Sequence, residues 1–259
     1  MNYRDILVAE TYGYRPLFMN LATPPGAYDA PVLVWIHGGA WLGGSPALRP
    51  GWLGSTDLVA EAVAAGFAVA SVTYRMSAEA VFPAQLDDVS AAVEWIRENA
   101  AGHGLDASRI SVWGESAGGH LAAMLALTDP GIRSAVLWYA PANLLTKQDH
   151  HLAGAHLHSD PAHTPESLLI GGNVHDHQAE AMAASPVAHV SPGAPPVLLM
   201  HGEADRVVPC EQSVELYEAL RSAGASPELR LVPGADHCWE GGDVAALVAD
   251  SLDFFGKNG

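Results

Sequence analysis

Short apolar or β-branched runs alternate along the chain with longer amphipathic, alanine-rich runs. That alternation marks strand–helix–strand units built around a parallel sheet. The clearest strands fall at residues 32–36, 68–73, 110–113, 135–139, 197–201 and 228–232. Most are near-continuous apolar runs, as expected where helices cover both faces of the sheet. Two weaker runs, 6–9 and 16–21, are predicted to form an antiparallel start joined by a turn at Tyr12-Gly13-Tyr14. Helices are predicted at 57–65, 86–101, 117–128, 211–223 and 244–255. In the second of these, Val89, Val93 and Ile96 recur at helical spacing with acids interleaved, the pattern of a cover helix. Residues 141–190 break the alternation, being rich in His, Pro, Gly and Asp. Such a stretch reads as a cap or lid insertion within a single domain spanning 1–259. The predicted class is therefore α/β: a mostly parallel sheet of about eight strands, helices on both faces, and a short cap.

Composition narrows the partners. A chain of 259 residues with 49% hydrophobic and 16% charged residues can bury a sizeable core. Twelve Lys+Arg stand against 29 Asp+Glu, a net charge of −17. That balance argues against nucleic acid and against an anionic membrane, since no basic surface is available to pair with phosphate. No apolar stretch approaches the roughly 18 residues of a membrane span. Met1-Asn2-Tyr3-Arg4-Asp5 does not resemble the start of a signal peptide, so a cytoplasmic location is expected. Cys210 and Cys238 are too few for a disulfide framework and lack the spacing of a structural zinc site. Monomer and dimer both remain open.

Three motifs carry chemistry. Gly114-Glu115-Ser116-Ala117-Gly118 follows a predicted strand and opens a predicted helix. This is the setting of a nucleophile elbow, where small residues on either side let the backbone turn sharply and expose a serine hydroxyl. A free serine is a weak nucleophile, so a base is required. His37-Gly38-Gly39-Ala40-Trp41 follows the strand at 32–36. A glycine pair there can turn amides outward to form an oxyanion hole with the N–H of Ala117. His37 itself reads as a brace for this loop, not as a proton carrier. Asp205, in His201-Gly202-Glu203-Ala204-Asp205, and His237, in Gly234-Ala235-Asp236-His237, lie just beyond two further strands. Ligands gather at such strand ends on open α/β sheets. Asp236 competes with Asp205 to orient His237, but adjacent loop residues usually point apart, which favours Asp205.

With these motifs the sequence resembles the α/β-hydrolase esterases, closest to the hormone-sensitive-lipase-like and feruloyl/acetylxylan-type (BD-FAE-like) carboxylesterases. The likeness extends to Thr73-Tyr74-Arg75, Phe82-Pro83-Ala84, Asp87-Asp88, Trp95 and Ala184-Ser185-Pro186, and covers nearly the whole chain from Val32 onward. Ala40 stands where many relatives carry a third glycine, yet still supplies an N–H. The resemblance implies Ser116 as nucleophile, His237 as general base and then acid, and Asp205 as the orienting carboxylate. It implies oxyanion donors at Gly39, Ala40 and Ala117, an acyl-enzyme intermediate, and no metal or organic cofactor. His37, Gly38 and Glu115 are then structural, with Glu115 buried beneath the elbow. Trp41, Trp138 and Trp239 are candidates for the wall of a substrate pocket, with core packing as the alternative for Trp41.

Two features remain outside this scheme. Eight histidines (150, 151, 156, 158, 163, 175, 177 and 189) fall in or at the end of the insertion. A metal site on His156-x-His158-x-Asp160 and a pH-sensitive lid are alternatives to solvent-facing residues, and the last is preferred. If Asp205 and His237 touch, Cys210 and Cys238 come near one another, although free thiols are the expectation. The predicted activity is hydrolysis of neutral esters with small to medium acyl groups. An arylformamidase of the kynurenine-formamidase type is the alternative within the class. A non-catalytic binding protein on the same scaffold is the alternative outside it, opposed by the intact His237 loop.

Overall fold

In the computed structural model residues 2–46, 51–155 and 160–259 are described. Eight strands are present: β1 (Asn2–Ala9), β2 (Leu17–Ala22), β3 (Ala30–Ile36), β4 (Ala68–Val72), β5 (Leu105–Glu115), β6 (Ile132–Trp138), β7 (Val197–Gly202) and β8 (Glu228–Val232). They form one sheet in the order β1-β2-β4-β3-β5-β6-β7-β8. β1 and β2 pair antiparallel, as do β2 and β4, and the remaining pairs are parallel. The antiparallel start predicted from two weak runs is thus present.

The helices are α1 (Leu58–Ala64), α2 (Ala84–His103), α3 (Ala117–Thr128), α4 (Pro165–Ile170), α5 (Gln178–Ala183), α6 (Glu211–Ser222) and α7 (Val244–Asn258). Asp57 caps α1 through its side chain, and Asp243 caps α7 in the same way. Both satisfy amides that a helix start leaves unpaired. α2 outruns its prediction to reach Gly104, whose left-handed φ of 68° ends it. β5 begins five residues before its predicted start because Ala30 pairs with Leu105 across an irregular stretch.

Side-chain alternation sorts the core into two layers. Val32, Val34, Ile36, Ile110, Val112, Ala135, Leu137, Val197 and Leu199 face α2, α3 and α6. Leu33, Trp35, Trp113, Val136, Trp138, Leu198 and Met200 face α1 and α7. The register aligns Ile36 with Gly114, Glu115 with Trp138, Trp138 with Met200, and Gly202 with Val232. The C-terminal ends of five neighbouring strands therefore open on one edge of the sheet, and every motif loop leaves from there.

Within residues 141–190, α4, α5 and short single turns pack back onto the main body. Gln212 of α6 accepts from the amides of Ala142 and Asn143, and the Ser185 hydroxyl accepts from the amide of Leu144. Lys147 Nζ meets Glu166 Oε1 at 2.8 Å in a buried ion pair. No helix among the described residues is long and apolar enough to cross a membrane.

Candidate active site

Ser116 sits between β5 and α3 with φ 50° and ψ −120°, a left-handed conformation that costs a residue with a side chain about 1–3 kcal/mol. The surrounding packing imposes it. A Cβ on Gly114 would lie 2.2 Å from the carbonyl oxygen of Gly118, and one on Gly118 would lie 2.1 Å from that of Ile36. Strand, turn and helix pass so closely that only glycine fits at both positions. The Ser116 amide donates to the Trp138 carbonyl at 2.8 Å, and its carbonyl accepts from His120 N at 2.9 Å. Backbone bonds on both sides thus fix the turn, and the hydroxyl projects from its crest.

His237 follows β8 and faces that hydroxyl, Nε2 to Oγ 3.1 Å. Its other nitrogen, Nδ1, lies 2.7 Å from Oδ2 of Asp205, which follows β7 and is fully buried. Oδ1 of Asp205 accepts from the amides of Val207 and Val208, each at 2.8 Å. Burial by itself would raise the pKa of Asp205. Hydrogen bonds from His201 and His237 outweigh it and hold the carboxyl well below the usual range. The acid stays ionised wherever the histidine works. Asp236 does not reach the imidazole. Its Oδ1 accepts from the amides of Arg206 (2.9 Å) and His237 (2.7 Å), and its Oδ2 pairs with the Arg206 guanidinium. It ties the acid loop to the histidine loop.

The glycine loop after β3 adopts positive φ at Gly39 (113°), Ala40 (58°) and Trp41 (56°). The carbonyl of Gly39 accepts from Leu42 and Gly43, closing the turn. The amides of Gly39 and Ala40 donate to no acceptor among the described residues. Ala117 opens α3, so its amide is one of those a helix leaves without an intrahelical partner. Glu115 clamps the loop from beneath: Oε1 accepts from Gly38 N at 3.3 Å and Oε2 from the Tyr139 hydroxyl at 2.7 Å. Burial pushes its carboxyl pKa up against those two hydrogen bonds. His37 stacks on Tyr74, whose hydroxyl donates to the His37 carbonyl at 3.0 Å. Burial holds the His37 imidazole below its ordinary pKa, which suits a brace.

The three tryptophans proposed for a pocket wall are all 2% exposed or less and offer no open face. Register explains Trp138. It alternates onto the α1/α7 side of the sheet, where its indole N–H donates to Ser251 and its ring meets Trp35 and Trp113. Trp239 belongs to the same layer and packs on Trp138 and Tyr139. Trp41 lies edge-on to His120 in the opposite layer. Core packing is thus the role the structure gives all three. Tyr139 approaches the site instead, its ring 4.7 Å from that of His237.

Tyr74 and His120 are contributors to which sequence reasoning gave no site role, and Asp236, a rival of Asp205 in the sequence, contributes a tie between loops instead. Tyr74 reaches the loop from beyond β4, a long-range contact that leaves no local signal. His120, however, stands four residues after Ser116 on α3, a spacing that puts it on the same helix face. It is fully buried, with Nε2 2.6 Å from the Ala184 carbonyl, and burial lowers its pKa from the ordinary 6.5 to about 4. The unfolded chain therefore takes up the proton first. The His120 contribution is complete above pH 6.5 and drains away as pH falls toward 4, by about 2 kcal/mol at pH 5. Urea unfolding at pH 7.5 and 5 measures this. His120→Met is expected to lose about 2 kcal/mol less than the parent between those values. An equal loss in both proteins rules the mechanism out.

Cys210 and Cys238 are free thiols. Among the described residues no group of three or more His, Cys, Asp or Glu is arranged to hold a metal ion. His156 and His158, of the weighed metal motif, lie outside the described residues.

Residues 19–220 match the BD-FAE family. The chain belongs to that family. BD-FAE membership accords with its curated relatives, which are esterases by name. It is 32% identical to esterase LipQ of Mycobacterium tuberculosis over 239 residues, covering 86% of this chain and 53% of LipQ. It is 34% identical to carboxylesterase NlhH of the same organism over 232 residues, covering 83% of this chain and 68% of NlhH. The chain thus spans about half the length of LipQ. Among solved structures, a truncated carbohydrate esterase from gut microbiota superposes with a TM-score of 0.84 at 28% identity, covering 99% of this chain and 95% of that one. An esterase of Thermogutta terrifontis gives 0.75 at 24% identity, covering 97% of this chain and 90% of that one, a likeness of fold. The BD-FAE chain has the α/β-hydrolase fold that its sequence resemblance implied.

Proposed function

We propose that the chain is a serine carboxylesterase acting on neutral esters of small to medium acyl chain. The observation that carries this reading is the unbroken hydrogen-bond path from Ser116 Oγ to His237 (3.1 Å) and on to Asp205 (2.7 Å). On this reading Ser116 attacks the ester carbonyl while His237 Nε2 takes the hydroxyl proton. The tetrahedral oxyanion settles against the amides of Gly39, Ala40 and Ala117, whose donors need no reorganisation because the loop is already folded. His237 returns the proton to the departing alcohol, leaving an acyl-Ser116 ester. A water activated by the same imidazole then resolves it. Asp205 keeps the Nδ1–H tautomer in place and stabilises the imidazolium that forms twice per cycle. The chemistry needs no cofactor.

Residues 141–190 are proposed to cap the site. In support, Leu152 and Ala153 share an open groove of about 450 Å³ with Ala204, Arg206, Asp236 and Glu240 of the acid and histidine loops. The net charge of −17 favours neutral substrates, since an acidic surface slows the approach of anionic esters. The test is a panel of p-nitrophenyl esters from acetate to decanoate, with an acetylated oligosaccharide and N-formylkynurenine alongside. Highest kcat/KM on a short or medium ester is expected. Efficient turnover of the formamide alone would replace carboxylesterase by arylformamidase.

A further inference from the structure

The acid loop is folded around a histidine that lies outside the Ser116–His237 path. His201, near the end of β7, is fully buried. Its Nδ1 lies 2.7 Å from the Ser213 hydroxyl of α6. Its Nε2 lies 2.8 Å from the Val208 carbonyl oxygen and 3.3 Å from Oδ2 of Asp205. A carbonyl can only accept, so Nε2 carries a proton whether the ring is neutral or charged. That proton points to the Val208 carbonyl and stands beside the same carboxylate oxygen that receives His237 Nδ1–H.

We infer that His201 is a positioning residue for the reaction proposed above: its Nε2–H holds Oδ2 of Asp205 toward His237 and tempers the negative charge that oxygen presents. The inference rests on the serine-hydrolase reading. A carboxylate offers about four lone-pair directions. Here two amides bond Oδ1, His237 bonds Oδ2, and Nε2 of His201 stands 3.3 Å from that same oxygen. The carboxylate is left without a free direction in which to swing. Val208 closes the arrangement, donating its N–H to Asp205 while its carbonyl takes the proton of His201. Other ionisable groups around the imidazole of His237 are engaged elsewhere. Glu115 and Tyr139, at the ends of β5 and β6, hold one another, and Arg206 holds Asp236. Cys238 adjoins His237, and burial pushes its thiol up to about 12. Among the described residues His201 is therefore the second imidazole beside Oδ2.

Because two imidazoles face one oxygen, removing one lets the other meet more of its charge. The pH profile of kcat/KM tests this for the wild type, His201→Leu and His201→Gln. In His201→Leu, kcat/KM is expected to fall about tenfold to a hundredfold. Its acid limb is expected to move to higher pH by about half a unit, because the unshared carboxylate retains the imidazolium proton more strongly. His201→Gln, whose amide N–H reaches the former Nε2 position, is expected to return the limb to its wild-type place. A fall in rate with no movement of the limb makes His201 a packing residue and overturns the inference.

A second measurement needs no folded Leu variant. In 15N-histidine-labelled wild type, the signals absent from His201→Gln are expected to show a protonated Nε2. An unprotonated Nε2 overturns the inference equally. Ser116→Ala, assayed alongside, separates the two levels. Full activity in that variant defeats the hydrolase reading and this inference together. An inactive Ser116→Ala beside an unmoved limb in His201→Leu defeats only the role of His201.

Discussion

Ser116→Ala is expected to lower kcat on the best p-nitrophenyl ester by roughly 10⁴–10⁶-fold, with circular dichroism and Tm close to the parent. The size follows from what the hydroxyl does. Without Oγ no acyl-enzyme forms, and only oxyanion stabilisation and binding remain to assist water. The fold should tolerate the change because the turn is held by backbone bonds to Trp138 and His120 and by the close approach of Gly114 to Gly118. Alanine keeps the Cβ already accommodated there. KM should change far less than kcat, since the deleted atom contributes to the transition state and little to binding. Parent-like turnover in the purified variant is the contrary result.

Asp205→Asn is expected to cost about 10⁴-fold in kcat. The substitution preserves shape, and its carbonyl oxygen can still take the amides of Val207 and Val208. The other position then becomes an NH₂ group facing His237 Nδ1. An amide N–H there demands an acceptor, so the imidazole turns to the tautomer that places its proton on Nε2, toward Ser116. A base carrying its proton on that atom cannot accept the serine hydroxyl proton. The buried imidazolium also loses its counter-charge. Asp236→Asn makes the comparison. Asp236 bonds the backbones of Arg206 and His237 but not the imidazole. A greater loss in Asp236→Asn than in Asp205→Asn would move the orienting role from Asp205 to Asp236.

Strand periodicity made the sheet legible, including its weak antiparallel start. Ser116, Asp205 and His237 were legible because each follows a strand and all those strands end on one edge. Their convergence needed only the sheet's register, which parallel strands with short exits supply. What stayed hidden depended on which face a side chain takes. The place of Trp138 at a strand end suggests a wall residue. Along β6, however, Ala135 and Leu137 face α2 and α3, so Val136 and Trp138 face α1 and α7. That alternation is visible in the sequence, but which helices cover each face is not encoded in strand spacing. Tyr74 and Glu115 illustrate a harder limit. Their hydrogen bonds hold His37 and Gly38, residues brought together by the crossing of separate strands. No spacing along the chain encodes those contacts. His201 was visible as part of a motif, yet its partners Ser213 and Val208 came only with the packing of α6 and the fold of the acid loop.

A Ser116 that forms a covalent acyl-enzyme with His237 as its base can be trapped with paraoxon, a carboxylic-ester mimic that phosphorylates activated serines. Intact mass and peptide mapping then locate the adduct. One diethylphosphoryl group per chain is expected, on the peptide containing Gly114-Glu115-Ser116-Ala117-Gly118, with esterase activity lost in proportion to labelling and no labelling of Ser116→Ala. Labelling of another residue in step with inactivation, or full esterase activity after Ser116 is labelled, would contradict it.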